Sequence, residues 1–329
     1  MAARFSTMSD AVLYQLLRFV DPHDPFCVAY LFGALFFGLA IMLWRRRGRR
    51  VISPRLLQHL AGGPKLWLHR STVLDMKLFL MHGLMAATAY GVLMLSSQAC
   101  QHIVSHALGG IAAPAISLPR WLAGSVTTVL QFLVFELCYW ALHFAFHRIP
   151  CLWEIHKVHH SAEVLTPFTT ARLHPIEFIA FANSGGLALG ATYGMTSWLF
   201  GEAAAPFELF HLNIFLLLYL ATSHHLRHSG IWIAATGWLG RLVHSPAHHR
   251  IHHSTDPKHF DRNMGYALSL FDWMFGTLYV PEPKSRIALG VPEDAPHTGV
   301  LDTLIRPLQN AARVLNKPLL APPPTPTAQ

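Results

Sequence analysis

Five apolar stretches limit what this chain can fold into: residues 29–44, 78–95, 121–146, 178–200 and 207–222. A helix needs about 20 mostly apolar residues to cross the hydrocarbon of a bilayer, where every backbone polar group must be satisfied internally. The first stretch is short, and residues 26–28 extend it. With 52% hydrophobic and 13% charged residues and a mean hydropathy of +0.34, the composition lies outside the soluble range of about 25% charged residues. The sequence therefore predicts an all-α integral membrane protein with four to five transmembrane helices.

Arg45, Arg46, Arg47, Arg49 and Arg50 follow the first stretch. Such a basic flank stays in the cytoplasm. Alternating the remaining spans from that start brings every histidine cluster to the cytoplasmic side. The pair within 178–222 contains Asn183, Gly185, Gly186, Gly190 and His211, and a re-entrant hairpin there would leave the topology unchanged. Residues 1–26 read as an interfacial helix and turn without the features of a signal peptide. Residues 318–329, with PPPTPT among them, cannot pack a core. The net charge of +8 suits anionic lipid headgroups or an acidic electron donor. Nucleic acid is excluded as a partner, because no compact basic domain stands outside the apolar segments.

Sixteen of the 23 histidines lie between positions 143 and 259, and ten of them are spaced as ligands. HFAFH (143–147) and HHLRH (224–228) place histidines at i and i+4, one turn apart on a helix face. HKVHH (156–160) and HRIHH (249–253) place an i, i+3 pair on one face and turn the adjacent histidine about 100° away, so each cluster can serve two metals. Ten nitrogens suffice for two metal ions with a position left open. Imidazole suits iron, zinc, copper and nickel alike. Cys27, Cys100, Cys138 and Cys151 form no CxxC pair, so metal chemistry rests on histidine. His59, His69, His82, His102, His106 and His297 read as isolated core or surface residues. His211, His225, His244 and His248 are at least as easily passengers as ligands.

Residues 136–177 (ELCYWALHFAFHRIPCLWEIHKVHHSAEVLTPFTTARLHPIE), HHLRHSG (224–230) and residues 245–281 resemble, in order, the sterol desaturase and fatty acid hydroxylase superfamily of membrane di-iron oxygenases. The resemblance covers the middle half of the chain. It implies a helical membrane protein with a cytosolic helical histidine-rich cap, two iron ions, O2 as co-substrate, and hydroxylation or desaturation of a sterol, fatty acyl or other membrane lipid such as a carotenoid or alkylglycerol. By position, the metal ligands are His143, His147, His156, His159, His160, His224, His228, His249, His252 and His253. Behind them the resemblance places His174, Glu136, His259, Asp261 and Asn263; Glu136, where the family commonly has aspartate, reads either as an acceptor for the free N–H of a ligating histidine or as a surface acid at a helix end. The chain departs from the family at Phe144, where arginine is common, and at His225, where asparagine is common.

The implied domains are 1–120, with an interfacial segment and two transmembrane helices; 121–285, the oxygenase; and 286–329, a C-terminal extension. No flavin, haem or nicotinamide motif is present, so the implied electron donor is separate, a ferredoxin or cytochrome b5 with its reductase. The implied location is a bacterial inner membrane or the endoplasmic reticulum, with the active site on the cytoplasmic face. Phe168, Trp153, Trp273 and Phe275 are candidates to line an apolar entrance. A metal transporter is the rival from another class, but its histidines would sit near mid-membrane with intramembrane carboxylates. A zinc hydrolase would need an HExxH or nucleophile motif, and neither occurs.

Overall fold

A computed structural model describes residues 8–45, 62–114, 116–291 and 296–316. The arginine run from 46 to 50 and the proline-rich tail from 318 lie outside the described residues. The architecture is helical, with one two-stranded hairpin among the described residues. The segment read as interfacial holds helix α1 (Met8–Leu17).

Two of the expected spans are single long apolar helices, α2 (Val28–Arg45) and α7 (Arg120–Arg148). The stretch at 78–95 is broken: α4 (Arg70–Met85) runs into a π-helical turn (Ala86–Tyr90) and then the short α5 (Gly91–Leu93). His82 Nδ1 meets the Tyr90 hydroxyl at 2.8 Å across that turn, and His82 Nε2 meets the Leu173 carbonyl at 2.9 Å.

The stretch at 178–200 lies within α9 (Pro175–Phe200), a continuous helix of 26 residues. Its glycines have a packing role. α6 (Ser97–Leu108) lies against α9, and a Cβ at Gly186 or Gly190 would run into the carbonyl of Leu95 or Ser97. The stretch at 207–222 does not form a spanning helix. It begins with the hairpin β1 (Glu208–Leu209) and β2 (Leu212–Asn213), with Phe210 and His211 at positive φ. The Asn213 side chain then caps α10 (Ile214–Thr222), accepting from Phe215 N at 3.0 Å. Nine residues at about 1.5 Å each span about 14 Å, less than half the hydrocarbon.

Three X–Pro steps aim the helices that build the site. The residue before proline avoids the α region, and proline suits the first helical position. Ile149, extended, ends α7, and Pro150 opens α8 (Pro150–His160), which packs beside α7. His174 and Pro175 open α9 in the same way. Ser245 and Pro246 open α12 (Pro246–His252), where Ser245 and His248 form a reciprocal cap. Apolar support comes from Ala34 on α2 against Leu226, Ile231 and Ile233, and from the Phe26, Phe79 and Phe168 rings.

Candidate metal centre

The last two turns of α7 carry His143 and His147 on one face, as the i, i+4 spacing predicts. Across the Pro150 turn, α8 presents His156 and His160 to the same point, and α12 adds His252. Each of these five offers one ring nitrogen, all within 4.8 Å of one another. A second group with the same closeness comprises His159, His228, His249 and His253. The two HxxHH clusters therefore do serve both groups, but the split differs from the expected i, i+3 sharing. His156 and His160 share one group, and His249 and His253 the other. His159 and His252 cross over to the opposite group. Four residues return a helix to within about 40° of the starting direction, whereas three leave it about 60° short.

His224 belongs to neither group. α10 ends at Thr222, and residues 223–228 form turns, so His224 and His228 do not share a helix face as their spacing predicted. The His224 Nδ1 meets the Tyr266 hydroxyl at 3.0 Å, and its Nε2 has no partner among the described residues.

The far nitrogens of five of the rings are anchored, whereas His249 Nδ1 and His253 Nδ1 have no partner among the described residues. His143 Nδ1 donates to the Met264 carbonyl at 2.8 Å, His252 Nδ1 to the Arg262 carbonyl at 2.9 Å, and His159 Nδ1 to the Arg172 carbonyl at 3.3 Å. His156 Nδ1 donates to Glu177 Oε1 at 2.7 Å, with both side chains 1% exposed. His147 Nδ1 lies 3.4 Å from Asp261 Oδ1. With the Nδ1 proton placed by its acceptor, a neutral imidazole turns a lone pair out at Nε2. Yet His143 Nε2 and His156 Nε2 are 3.1 Å apart, and His249 Nε2 faces both His228 Nε2 at 2.8 Å and His253 Nε2 at 3.1 Å. His147 Nε2 and His252 Nε2 have no partner among the described residues. At His143 and His156, whose Nδ1 protons are both placed, converging lone pairs repel unless a cation lies between them, and both groups gather enough close imidazole nitrogens to hold a metal ion.

Burial keeps these rings in the ligating form. It drives the His159 imidazole down to about 3, and it holds His156, His160, His228, His249, His252 and His253 well below the ordinary histidine range. Neighbouring imidazoles add to the effect throughout, and the Arg227 guanidinium adds to it at His159, His228, His249, His252 and His253.

Among the residues expected behind the ligands, Asp261 does contact one, and Arg148 Nη1 donates to its other oxygen at 2.8 Å. The others act at a distance. Glu136 accepts from the Ala267 and Leu268 backbone N–H groups at 2.9 and 3.0 Å rather than from a histidine, because it sits two helical turns before His143. His174 caps α9 by accepting from Ile176 N at 3.2 Å, which sets the turn bearing Glu177. His259 meets Ser254 Oγ at 2.9 Å, and Asn263 donates to the His248 and Tyr279 carbonyls.

Glu177 and Asp272 were not among the predicted residues. Glu177 lies in the RLHPIE stretch, three residues from the histidine singled out there. Asp272, fully buried, accepts from Met264 N at 2.8 Å, Gly265 N at 2.9 Å and Thr277 Oγ at 2.6 Å, and so fixes the carbonyl that holds His143. Burial pushes its carboxyl up to about 6 despite those bonds. Of the passenger histidines, His225 meets the Pro25 carbonyl at 2.6 Å and His248 the Gly240 carbonyl at 2.9 Å, outside both groups.

A cavity of about 230 Å³ opens on the five-histidine group, lined by His147, Trp153, His160, His252, Phe260 and Asp261 among others. Trp153 thus reaches the site. Phe275 instead stacks on Trp140 at 4.4 Å, Trp273 packs edge-on to Trp238, and Phe168 joins the Phe26 and Phe79 cluster.

Fold and site together define a helical protein with two adjoining buried histidine groups of metal-binding type. Residues 128–277 match the fatty acid hydroxylase family model. This histidine-bearing segment, a little under half of the chain, is thus similar to that family. Similar proteins include an alkylglycerol monooxygenase of Danio rerio, 31% identical over 46% of this chain and 30% of that protein. A Delta(7)-sterol 5(6)-desaturase of Gibberella zeae is 28% identical over 50% of this chain and 44% of that protein. A very-long-chain aldehyde decarbonylase of Oryza sativa subsp. indica is 29% identical over 54% and 28%. The matches thus span less than half the length of these relatives. No solved structure matches the chain.

Proposed function

We propose that the chain is an O2-dependent di-iron oxidoreductase that hydroxylates or desaturates a membrane lipid, with the catalytic part in residues 121–285. The observation that carries this reading is the convergence of nine buried imidazoles on two adjoining points, their ring nitrogens within 4.8 Å of one another in each group. His143, His147, His156, His160 and His252 would hold one iron, and His159, His228, His249 and His253 the other. His224, the tenth histidine of the expected set, lies outside both groups. Bound iron supplies the redox chemistry by which O2 and two electrons convert an unactivated C–H bond to an alcohol or an alkene.

The protein's own contribution is positional. Glu177, Asp261 and the carbonyls of Met264, Arg262 and Arg172 orient five imidazoles and raise their basicity. Burial excludes the water that would divert a reactive centre. We place the site on the cytoplasmic face of a multi-pass membrane protein, reduced by a separate ferredoxin or cytochrome b5 with its reductase. A transporter is less well supported, because anchored and buried ligands suit retention of a metal.

The test is lipid profiling of cells grown under 18O2, with wild-type protein or the His156→Ala variant. A lipid that gains one labelled oxygen or loses two hydrogens only with the wild type is expected. An unchanged lipid profile, or a product made equally by the variant, contradicts the proposal.

A further inference from the structure

Helix α14 (Val300–Leu315) is divided lengthwise into three faces. Thr303 and Pro307 are buried where it packs along α8, the helix that bears His156, His159 and His160. Asp302, Arg306, Gln309 and Arg313 make a polar face, with Asp302 accepting from Arg306 Nε at 2.8 Å. Between them runs an apolar stripe, Leu301, Ile305, Leu308 and Leu315, at spacings of four, three and seven residues. These side chains are 73%, 50%, 44% and 70% exposed. A helix in water would not leave such a stripe uncovered when it could turn the stripe inward.

The hydrogen bonds also fix the depth of this helix. His174 Nε2 donates to the Leu304 carbonyl at 3.1 Å, and His174 is the residue that starts α9. The middle of α14 therefore lies level with the first turn of a 26-residue helix that packs along α7, one of the two helices apolar enough to cross a membrane. At that level, an apolar stripe bordered by arginines matches a bilayer interface, with acyl chains on one side and anionic headgroups on the other.

We infer that α14 lies in the plane of the membrane with its Leu301, Ile305, Leu308 and Leu315 stripe inserted among lipid acyl chains. It thereby pins ligand-bearing α8 at a set depth below the headgroups. This rests on α2 and α7 spanning the membrane, as the proposed function requires. A lipid's reacting carbon would then be selected by its distance from the headgroup.

The test uses the full chain in phosphatidylcholine and phosphatidylglycerol vesicles, with Cys138 and Cys151 replaced by alanine and a fluorescent label on one introduced cysteine. Leu308→Cys and Leu301→Cys are compared with Arg313→Cys on the polar face and with Phe36→Cys on α2, where Phe36 is 73% exposed. Quenching by acyl-brominated lipid is expected to be several-fold stronger at 301 and 308 than at 313, with iodide in the water giving the reverse order. Iodide quenching at 308, or shielding of 308 from both quenchers by a second copy or another protein, overturns the inference. The α2 position separates the two claims. If the label at 36 also escapes the brominated lipid, the membrane reading itself fails.

Discussion

Replacing Glu177 with glutamine isolates what a residue behind the ligands contributes. The carboxylate accepts from His156 Nδ1 at 2.7 Å with both partners 1% exposed. The shape is kept while the charge is lost, and the new amide N–H2 falls where Glu177 Oε2 has no partner among the described residues. A charge-assisted hydrogen bond is worth about 1.5–3 kcal/mol and a neutral one about 0.5–1.5, so the substitution should cost about 1–2 kcal/mol. Loss of a partner behind a ligating histidine typically weakens metal binding about 10- to 100-fold, which is about 1.4–2.7 kcal/mol and agrees with that figure. His156 serves only the five-histidine group, so the loss should fall on one metal. Competition of the purified protein against a graded chelator, read as metal retained per chain, should show one equivalent released about 10- to 100-fold more readily in Glu177→Gln and the other unmoved. Two equivalents released together, or no change in either, would refute the reasoning.

Four further outcomes follow from the same contacts. His228→Ala should abolish binding in the second group, while His224→Ala should leave both metals bound, as elemental analysis of the two variants will show. Asp272→Ala strands three buried donors at about 1–3 kcal/mol each, so it should lower the denaturation midpoint strongly and loosen His143 with it. Gly190→Leu should separate α6 from α9 and reduce folded yield, because even a Cβ there meets the Ser97 carbonyl. In metal-free protein, burial holds the His159 ring at about 3, below its ordinary 6.5. Its folded value is depressed, so the stability it contributes is complete above about 6.5 and is lost as pH falls toward 3, while the unfolded chain takes up the proton. Thermal melts of the apo protein should therefore fall between about pH 7.5 and 5.5, and a flat profile would contradict the assignment.

The sequence made some of this legible for physical reasons. Helical period places His143 with His147, and proline at 150, 175 and 246 announces helix starts. The crossing of His159 and His252 between groups depends on how α8 and α12 face each other, which no local spacing encodes. His224 misled because its spacing assumes a helix that Thr222 ends. The stretch at 207–222 misled because hydropathy does not register the turn at Phe210 and His211. Glu177 was hidden by its neighbour: only the folded chain shows that His174 caps the helix while Glu177 reaches the site. The glycines at 186 and 190 read as weakness in a span, yet they are where α6 makes its close approach.

Nine of these histidines are proposed to build two separate metal sites. Iron quantified per chain in protein purified from iron-replete cells tests this most directly, in the wild type and in His252→Ala and His159→Ala. Two irons in the wild type and one in each variant is the predicted result. A wild type that binds no iron, or variants that retain both, would contradict it.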